Sequence, residues 1–290
     1  MNRNEEGYLN LLEEVRNNGA KKEGRNGITY SQFGSLLKFD VNDGLSFPLI
    51  TTKKVFFKGI VEELLWFLRG SVNSKELEAK GVNIWKGNSS RDYLDAQGFY
   101  DYEEGYLGPV YGFQWRSFNG KTDQIKYLLE ELALNNSRRA VLSAWNPVQL
   151  KEQALPPCHL LYNFYKNDDN SLSCMMYMRS SDLFLGLPFN IASTALFSLI
   201  IARVMGLKVK EIAISICDNH IYEEHLSQVE EQLLLRNEVF EPPQVIITKT
   251  LDNPEQLSID EKIRWIESLT YDDFSLNNYN HHKALKAPMK

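Results

Sequence analysis

One cysteine stands in a sequence setting suited to nucleophilic chemistry. Cys158 lies in the stretch ALPPCH, directly after two prolines, which fix the backbone and remove two amide donors. A thiol reacts as its thiolate, which nearby positive charge favours. A lone cysteine also fits a small buried apolar position. The arginines that could supply the charge are Arg25, Arg138, Arg139 and Arg179.

Two of these arginine positions indicate an anion site. Arg179 is followed by Ser180 in MRSSD, and a planar guanidinium beside a hydroxyl suits a phosphate dianion. Arg138 and Arg139 are adjacent, so a strand would send their side chains to opposite faces. Such a pair is also typical of a solvated strand start, and the phosphate site stays a hypothesis at this point.

Polar side chains on otherwise apolar elements add to the candidate site. Glu63 shares a helical face with Ile60 and Phe67. If the Glu63 carboxyl group is buried near a pocket, its pKa rises and it can transfer protons. If it lies at the edge of the apolar face, the side chain extends to water. His220 and Tyr222 are two apart in a predicted strand and therefore face one side, which suits a sugar hydroxyl or a core pair.

The stretch GLPFNIAST raises a further question about an amide. A turn is followed by a nearly all-apolar helix predicted over residues 191–205, and Asn190 stands directly before it. A buried amide requires a hydrogen-bond partner. The pattern therefore predicts that Asn190 holds a ligand or another polar group.

Composition restricts the classes of function. The chain has 290 residues, 43% of them hydrophobic, enough to bury one full core, and we expect a single domain over residues 1–290. A net charge of −6 argues against nucleic-acid and anionic-membrane partners and favours small molecules. Three cysteines without metal-ligand spacing indicate neither disulfides nor a metal site. The amino-terminal sequence shows no signal-peptide pattern, so the protein is predicted to be cytoplasmic.

Periodicity predicts an α+β fold. Besides the apolar helix, helices are expected over residues 5–17, 58–69, 122–134 and 223–236. Strands are expected in ITYSQFGSLLKFDV, RRAVLSAW and EIAISICDNHIY, with a two-stranded hairpin over residues 159–181. Residues 81–120 show no sustained period, which is typical of a binding surface.

Taken together, the motifs resemble the thymidylate synthase family along nearly the whole chain. The resemblance is carried, in order, by FPLITTKKVFFKGIVEELLWFLRGSVNSKELEAKGVNIW, GPVYGFQWR, RRAVLSAWNP, ALPPCH, RSSDLFLGLPFNIAS and DNHIY. It implies an α+β fold with a large mixed sheet and packed helices. It also implies a homodimer with shared active sites that binds dUMP and a reduced folate, 5,10-methylenetetrahydrofolate.

The resemblance also implies a role for each candidate residue. Cys158 resembles the nucleophile that adds to C6 of the pyrimidine, and Asn190 the residue that reads the base through O4 and N3–H. His220 and Tyr222 resemble the ribose ligands. Asp182 resembles a residue that contacts the folate and lies on the side of the base. The remaining positions form two sets. The phosphate ligands would be Arg25, Arg179 and Ser180, with Arg138 and Arg139 donated across the dimer, and the wall around C5 would be Glu63, Trp85, Asn88, Tyr111 and His159.

Several positions depart from the family pattern. The chain ends in ALKAPMK, where Lys290 replaces a small apolar end, and Thr194 replaces a common Tyr. The arginine loop GRNGITY is one residue short. Unusual residues also stand next to conserved motifs: Lys86, Met178, Cys217 and Asn219.

These departures favour the branch of the superfamily that adds water to the exocyclic methylene group. Hydride transfer requires a closed site without water, and Lys86 and Lys290 would bring hydrated charge toward the folate. The predicted product is therefore 5-hydroxymethyl-dUMP, with tetrahydrofolate released, as in phage-type hydroxymethylases. The alternative is a thymidylate synthase that forms dTMP and dihydrofolate. A third, weaker alternative is a non-catalytic homologue that binds nucleotide or RNA.

Overall fold

The computed structural model describes residues 3–24, 26–134 and 136–289. The helices are α1 Arg3–Asn18, α2 Phe57–Leu68, α3 Lys75–Glu78, α4 Arg91–Ala96, α5 Tyr111–Ser117, α6 Gln124–Ala133, α7 Gly186–Met205, α8 Leu226–Leu234 and α9 Ile259–Glu267. The strands are β1 Ala20–Gly24, β2 Gly27–Asp40, β3 Val141–Ser143, β4 His159–Lys166, β5 Ser171–Asp182, β6 Lys208–Tyr222, β7 Gln244–Ile247 and β8 Phe274–Asn277.

A mixed six-stranded sheet organises the molecule in the order β1-β2-β6-β5-β4-β3. Strands β5 and β6 pair in parallel, and the other neighbours in this sheet pair antiparallel. A parallel pair needs a crossover connection, which α7 provides. Strands β7 and β8 form a separate antiparallel pair. The predicted α+β class with a large mixed sheet and packed helices is confirmed.

Helix α7 is the centre of the core. It is apolar on all sides because it packs against β5, β6 and α2. The helix is long and apolar enough to cross a membrane by length and composition alone, but 78% of the relevant window is buried within the protein. Gly206 ends it in the left-handed conformation, at φ 67°.

The two faces of the sheet differ in what covers them. Residues such as Met176, Met178 and Ile214 are buried against the helices, at 1% exposure or less. The opposite face leaves a set of large apolar side chains open: Leu36, Leu161, Tyr165, Met175 and Tyr177. The outer apolar face, as we call this set, alternates with the core residues along the strands, as a pleated sheet requires.

Some predicted elements differ from those observed. Helix α7 begins at Gly186, before the predicted start, so Asn190 lies inside the helix. The strand expected in RRAVLSAW is limited to Val141–Ser143. Residues 223–236 begin with a 3-10 turn, Glu223–His225, ahead of α8. The stretch 81–120 contains the short helices α4 and α5, of 6 and 7 residues, which are too short to show a sustained period.

Candidate functional site

The candidate site forms where β5 and β6 end side by side. The two strands run parallel, with Ser180 beside Asp218 and Asp182 beside His220. The backbone of Arg179 donates to the Cys158 carbonyl at 3.0 Å, which ties the cysteine to the same edge. Residues separated by more than sixty positions in the sequence thus share one end of the sheet.

The Cys158 thiol lies against the Arg179 guanidinium. Arg179 Nη2 is 3.6 Å from Cys158 Sγ. The guanidinium also donates from Nε to the Pro157 carbonyl at 2.7 Å and from Nη2 to the Pro156 carbonyl at 3.1 Å. The two prolines therefore present acceptors that orient the cation toward the sulfur. A guanidinium in this place favours the nucleophilic thiolate.

Tyr111 holds the backbone of the cysteine from the other side. The Cys158 amide donates to the Tyr111 hydroxyl at 2.7 Å. The Tyr111 ring stacks on His159, with centroids 4.0 Å apart and planes at 14°. Burial lowers the pKa of His159 to about 3, so its imidazole is neutral, and its Nδ1 pairs with the Tyr162 hydroxyl at 3.2 Å. His159 thus serves to place Tyr111 in this arrangement.

Glu63 and Trp85 form a hydrogen-bonded pair beside this cluster. Trp85 Nε1 donates to Glu63 Oε1 at 2.7 Å, and the Trp85 ring lies 6.1 Å from that of Tyr111. Burial raises the pKa of Glu63 to about 7, although the Trp85 hydrogen bond opposes the shift. A carboxyl group with this pKa can give up or take a proton near neutral pH.

Ser180, His220 and Tyr222 form a polar group at the ends of the strands. Ser180 Oγ is 3.4 Å from His220 Nδ1, and Asp218 Oδ1 is 3.6 Å from the same nitrogen. The His220 and Tyr222 rings lie 5.2 Å apart, nearly perpendicular. The predicted same-side placement of His220 and Tyr222 is therefore observed, next to a serine of the predicted phosphate set.

The side-chain amide of Asn190 makes no hydrogen bond within the described part of the chain. The side chain is half-buried in the second turn of α7, and within residues 3–24, 26–134 and 136–289 it has no hydrogen-bond partner. Its backbone carbonyl accepts from Thr194 Oγ1 at 2.7 Å. A side chain at Gly186 would come within 3.9 Å of Asn190 Oδ1, so the glycine leaves space beside the amide. The amide is available to a ligand.

Asp182 lies between the site and two residues that the sequence reasoning missed. Asp182 Oδ1 accepts from the Phe184 and Leu185 amides at 2.9 and 3.3 Å. It also lies 3.7 Å from Nδ1 of His225, a fully buried residue. Lys53 is buried as well: it donates to the Phe184 carbonyl, its Nζ lies 3.5 Å above the Phe184 ring, and burial lowers its pKa to about 7.

Of the other predicted ligands, those that the structure describes make no hydrogen bond to this cluster. Arg25 lies outside the described residues. Arg138 and Arg139 are exposed between α6 and β3. Asn88 is half-buried in the 3-10 turn that follows Trp85.

Two of the departing residues, Met178 and Asn219, point away from the site. Met178 is 1% exposed and faces the core, opposite to Arg179. Asn219 is buried against β2, where Oδ1 accepts from Ser35 Oγ at 2.6 Å. Lys86 is exposed, and Lys290 lies outside the described residues. The expectation that these lysines bring water to the folate has no structural support in the described residues.

The chain matches the family profile described as Thymidylate synthase over residues 6–290. It is 43% identical to bifunctional dihydrofolate reductase-thymidylate synthase 1 of Arabidopsis thaliana, over 97% of this chain and 54% of that protein. It is 42% identical to a bifunctional protein of the same description from Paramecium tetraurelia, over 97% and 60%. It is 40% identical to thymidylate synthase of Homo sapiens, over 97% and 89%. The chain spans about half the length of the bifunctional relatives.

These similarities overturn the predicted hydroxymethylation. Relatives at about this identity over nearly the whole chain are named as thymidylate synthases, and none of those reported above carries the name of a hydroxymethylase. The prediction of 5-hydroxymethyl-dUMP as product, with its link to phage DNA modification, is wrong. A structural reason for the error is that Met178 and Asn219 are buried within the fold instead of lining the site.

Proposed function

The chain belongs to the thymidylate synthase family, and from this premise we propose that it catalyses the reductive methylation of dUMP to dTMP. The observation that carries the proposal is Cys158 Sγ, 3.6 Å from Arg179 Nη2 at the edge shared by β5 and β6. A binding module has no use for a thiol held against a cation. The second substrate would be 5,10-methylenetetrahydrofolate, with dihydrofolate released.

The side chains present fit both substrates. The Asn190 amide, which has no hydrogen-bond partner among the residues that the structure describes, can donate to O4 and accept from N3–H of uracil. Trp85 and Tyr111 offer aromatic surface, and Asp182 has a second carboxylate oxygen beyond the one that accepts the backbone amides. When bound, methylenetetrahydrofolate supplies the one-carbon unit and then the hydride.

The chain's own groups account for the activation of the pyrimidine. The Cys158 thiolate adds to C6, the electron pair moves through C5 to O4, and Asn190 stabilises the charge on O4. C5 thereby becomes the carbon nucleophile. Glu63, with its pKa near 7, is placed to exchange protons around the base, and Tyr111 fixes the cysteine backbone during the addition. Loss of the C6–S bond returns the thiolate at the end of the cycle.

The phosphate and ribose assignments are part of the same proposal. Arg179 and Ser180 would bind the phosphate together with Arg25, and His220 and Tyr222 the ribose hydroxyl. Arg138 and Arg139 would act from the partner subunit, which their exposure in this chain permits. We propose that the outer apolar face is the subunit interface, because an exposed apolar surface of this kind marks an association site.

The experiment that tests the function is trapping with 5-fluoro-dUMP and methylenetetrahydrofolate. Fluorine at C5 cannot leave as a proton does, so the ternary adduct on Cys158 should persist and be seen by mass spectrometry of the intact protein. Cys158→Ser is the matched control and should form no adduct. Absence of an adduct on the unchanged protein would favour the non-catalytic homologue. With dUMP itself, dTMP and dihydrofolate should appear in equal amounts.

A further inference from the structure

The last part of the described chain is fastened to the body of the protein at separate points. Tyr279 donates to the Ile50 carbonyl at 2.8 Å and accepts from the Val55 amide at 2.9 Å. The His282 amide donates to Thr51 at 2.8 Å. Farther along, over residues 284–289, the one hydrogen bond found joins the Pro288 carbonyl to His225 Nε2, at 2.8 Å.

The chemistry of this contact fixes the proton on His225. A carbonyl oxygen has no hydrogen to give, so Nε2 must be the donor. His225 is fully buried, and its Nδ1 has no hydrogen-bond partner among the described residues. That nitrogen faces Asp182 Oδ1 at 3.7 Å. The Phe184 and Tyr222 rings hold the imidazole, at centroid distances of 5.6 and 5.3 Å.

The Asp182 carboxylate raises the pKa of the neighbouring His225 imidazole. Burial lowers the pKa of His225, but the Asp182 carboxylate and the Pro288 carbonyl outweigh it, so that the pKa lies above its ordinary value. Lys53, also buried nearby, acts in the opposite direction. Asp182 at the same time caps the turn that leads into α7 and Asn190.

We propose that His225 is a positioning residue that fastens the segment around Pro288 to Asp182 and thereby sets the affinity of the site for folate. The inference rests on the proposed function, in which Asp182 is a folate contact. His225 donates to the segment through Nε2, and its Nδ1 faces Asp182 at 3.7 Å, so one buried ring stands between the segment and the carboxylate. The Tyr222 ring also packs against the imidazole, so a change that acts through the segment and Asp182 is recognised by a larger effect on folate than on the nucleotide.

Two variants separate the two nitrogens of His225. His225→Gln places an amide nitrogen where Nε2 lies and keeps the donor to Pro288. His225→Asn reaches only the position of Nδ1 and loses that donor. We expect His225→Asn to raise KM for methylenetetrahydrofolate about tenfold, the factor of one buried hydrogen bond. Its kcat should stay within about twofold, and its affinity for dUMP should change by a clearly smaller factor than the folate KM. His225→Gln should recover most of the loss.

A measurement without substrates keeps this test separate from the proposed activity. Tryptic cleavage after Lys286, an exposed residue two positions before Pro288, should be faster in His225→Asn than in the unchanged protein, and close to normal in His225→Gln. If the unchanged protein forms no 5-fluoro-dUMP adduct, the proposed function fails, while this cleavage result still reports on the contact between His225 and Pro288. Equal cleavage rates and equal folate KM in both variants would overturn the role of His225.

Truncation after Leu285 removes Pro288 and keeps His225, so by itself it should raise the folate KM about as much as His225→Asn does, and it tests the same contact if the His225 variant folds poorly. The truncated chain lacks Pro288, so His225→Asn should add nothing further to its folate KM. Full additivity of the two changes would show that His225 acts on folate by some other contact, and would overturn the inference.

Discussion

Replacing Glu63 by glutamine is expected to stabilise the folded protein above neutral pH while it removes turnover. Raising the pKa of Glu63 from 4.5 to about 7 corresponds to about 3 kcal/mol of unfavourable ionisation in the folded state. In the unchanged protein, Trp85 Nε1 lies 2.7 Å from Glu63 Oε1. Glutamine has nearly the same shape as glutamate and keeps an oxygen that can accept this hydrogen bond. It cannot ionise or transfer a proton.

The direction of the pH dependence follows from proton binding to Glu63 in the folded and unfolded states. The folded protein holds the Glu63 proton more tightly than the unfolded chain does, so stability from this group is complete below about pH 4.5. It falls as the pH rises and levels off above about pH 7, once the folded state has ionised. The variant should therefore exceed the unchanged protein by about 1 kcal/mol at about pH 5 and by about 3 kcal/mol at about pH 8.

Urea unfolding followed by tryptophan fluorescence measures this difference, at one protein concentration because subunit association contributes to stability. Glu62→Gln is a matched control on the same helix. The Glu62 carboxylate lies 2.6 Å from Lys80 Nζ with 7% of its side chain exposed, so its loss should reduce stability by about 1 kcal/mol or more. A gain for Glu63→Gln that does not grow between the two pH values would refute the reasoning.

Three further outcomes are expected. Cys158→Ser should abolish dTMP formation and bind dUMP within about tenfold of the unchanged protein, by calorimetry, because the hydroxyl fills the same space but is a poor nucleophile. Arg139→Ala should lose dUMP affinity, and mixing it with Cys158→Ser should restore part of the activity through hybrid dimers. Tyr111→Phe removes the acceptor of the Cys158 amide, at 2.7 Å. It should destabilise the protein by about 1–2 kcal/mol in urea and lower kcat about tenfold or more.

Each outcome has a result that would contradict it. Substantial turnover by Cys158→Ser would remove the cysteine from its role. Inactive mixtures, despite demonstrated subunit exchange, would argue against shared sites. Unchanged stability of Tyr111→Phe would mean that the Cys158 amide finds another acceptor.

Local patterns were sufficient for much of the secondary structure. The helix at 58–69 and the hairpin at 159–181 followed from periodicity and a turn signal, which depend only on near neighbours. The start of α7 does not follow from these patterns, because the stretch that contains Pro188 resembles a turn. A proline in the first helical turn removes an amide that would be unpaired anyway, so the helix can include it.

Strand pairing between distant segments and burial by the tertiary fold could not be predicted from those patterns. The place of β6 between β2 and β5 depends on pairing between distant segments. Lys53 and His225 stand in charged stretches, TTKK and EEH, which locally suggest surface, and only the tertiary fold buries them. The family resemblance named the site residues, but Met178 and Asn219 misled because strand alternation turns them away from their functional neighbours.

The pairing of β2 with β6 has a consequence for how the chain acquires its site. Thr29 pairs with Tyr222, so the central strand is completed by a segment from the opposite end of the chain. Contacts between such distant residues form slowly, since the intervening chain must first lose its entropy. The ends of β5 and β6 can hold their polar residues in register only after this step. Recovery of nucleotide binding during refolding should therefore follow the recovery of helical signal, and intermediates that lack the binding site should expose the apolar strands most prone to aggregation.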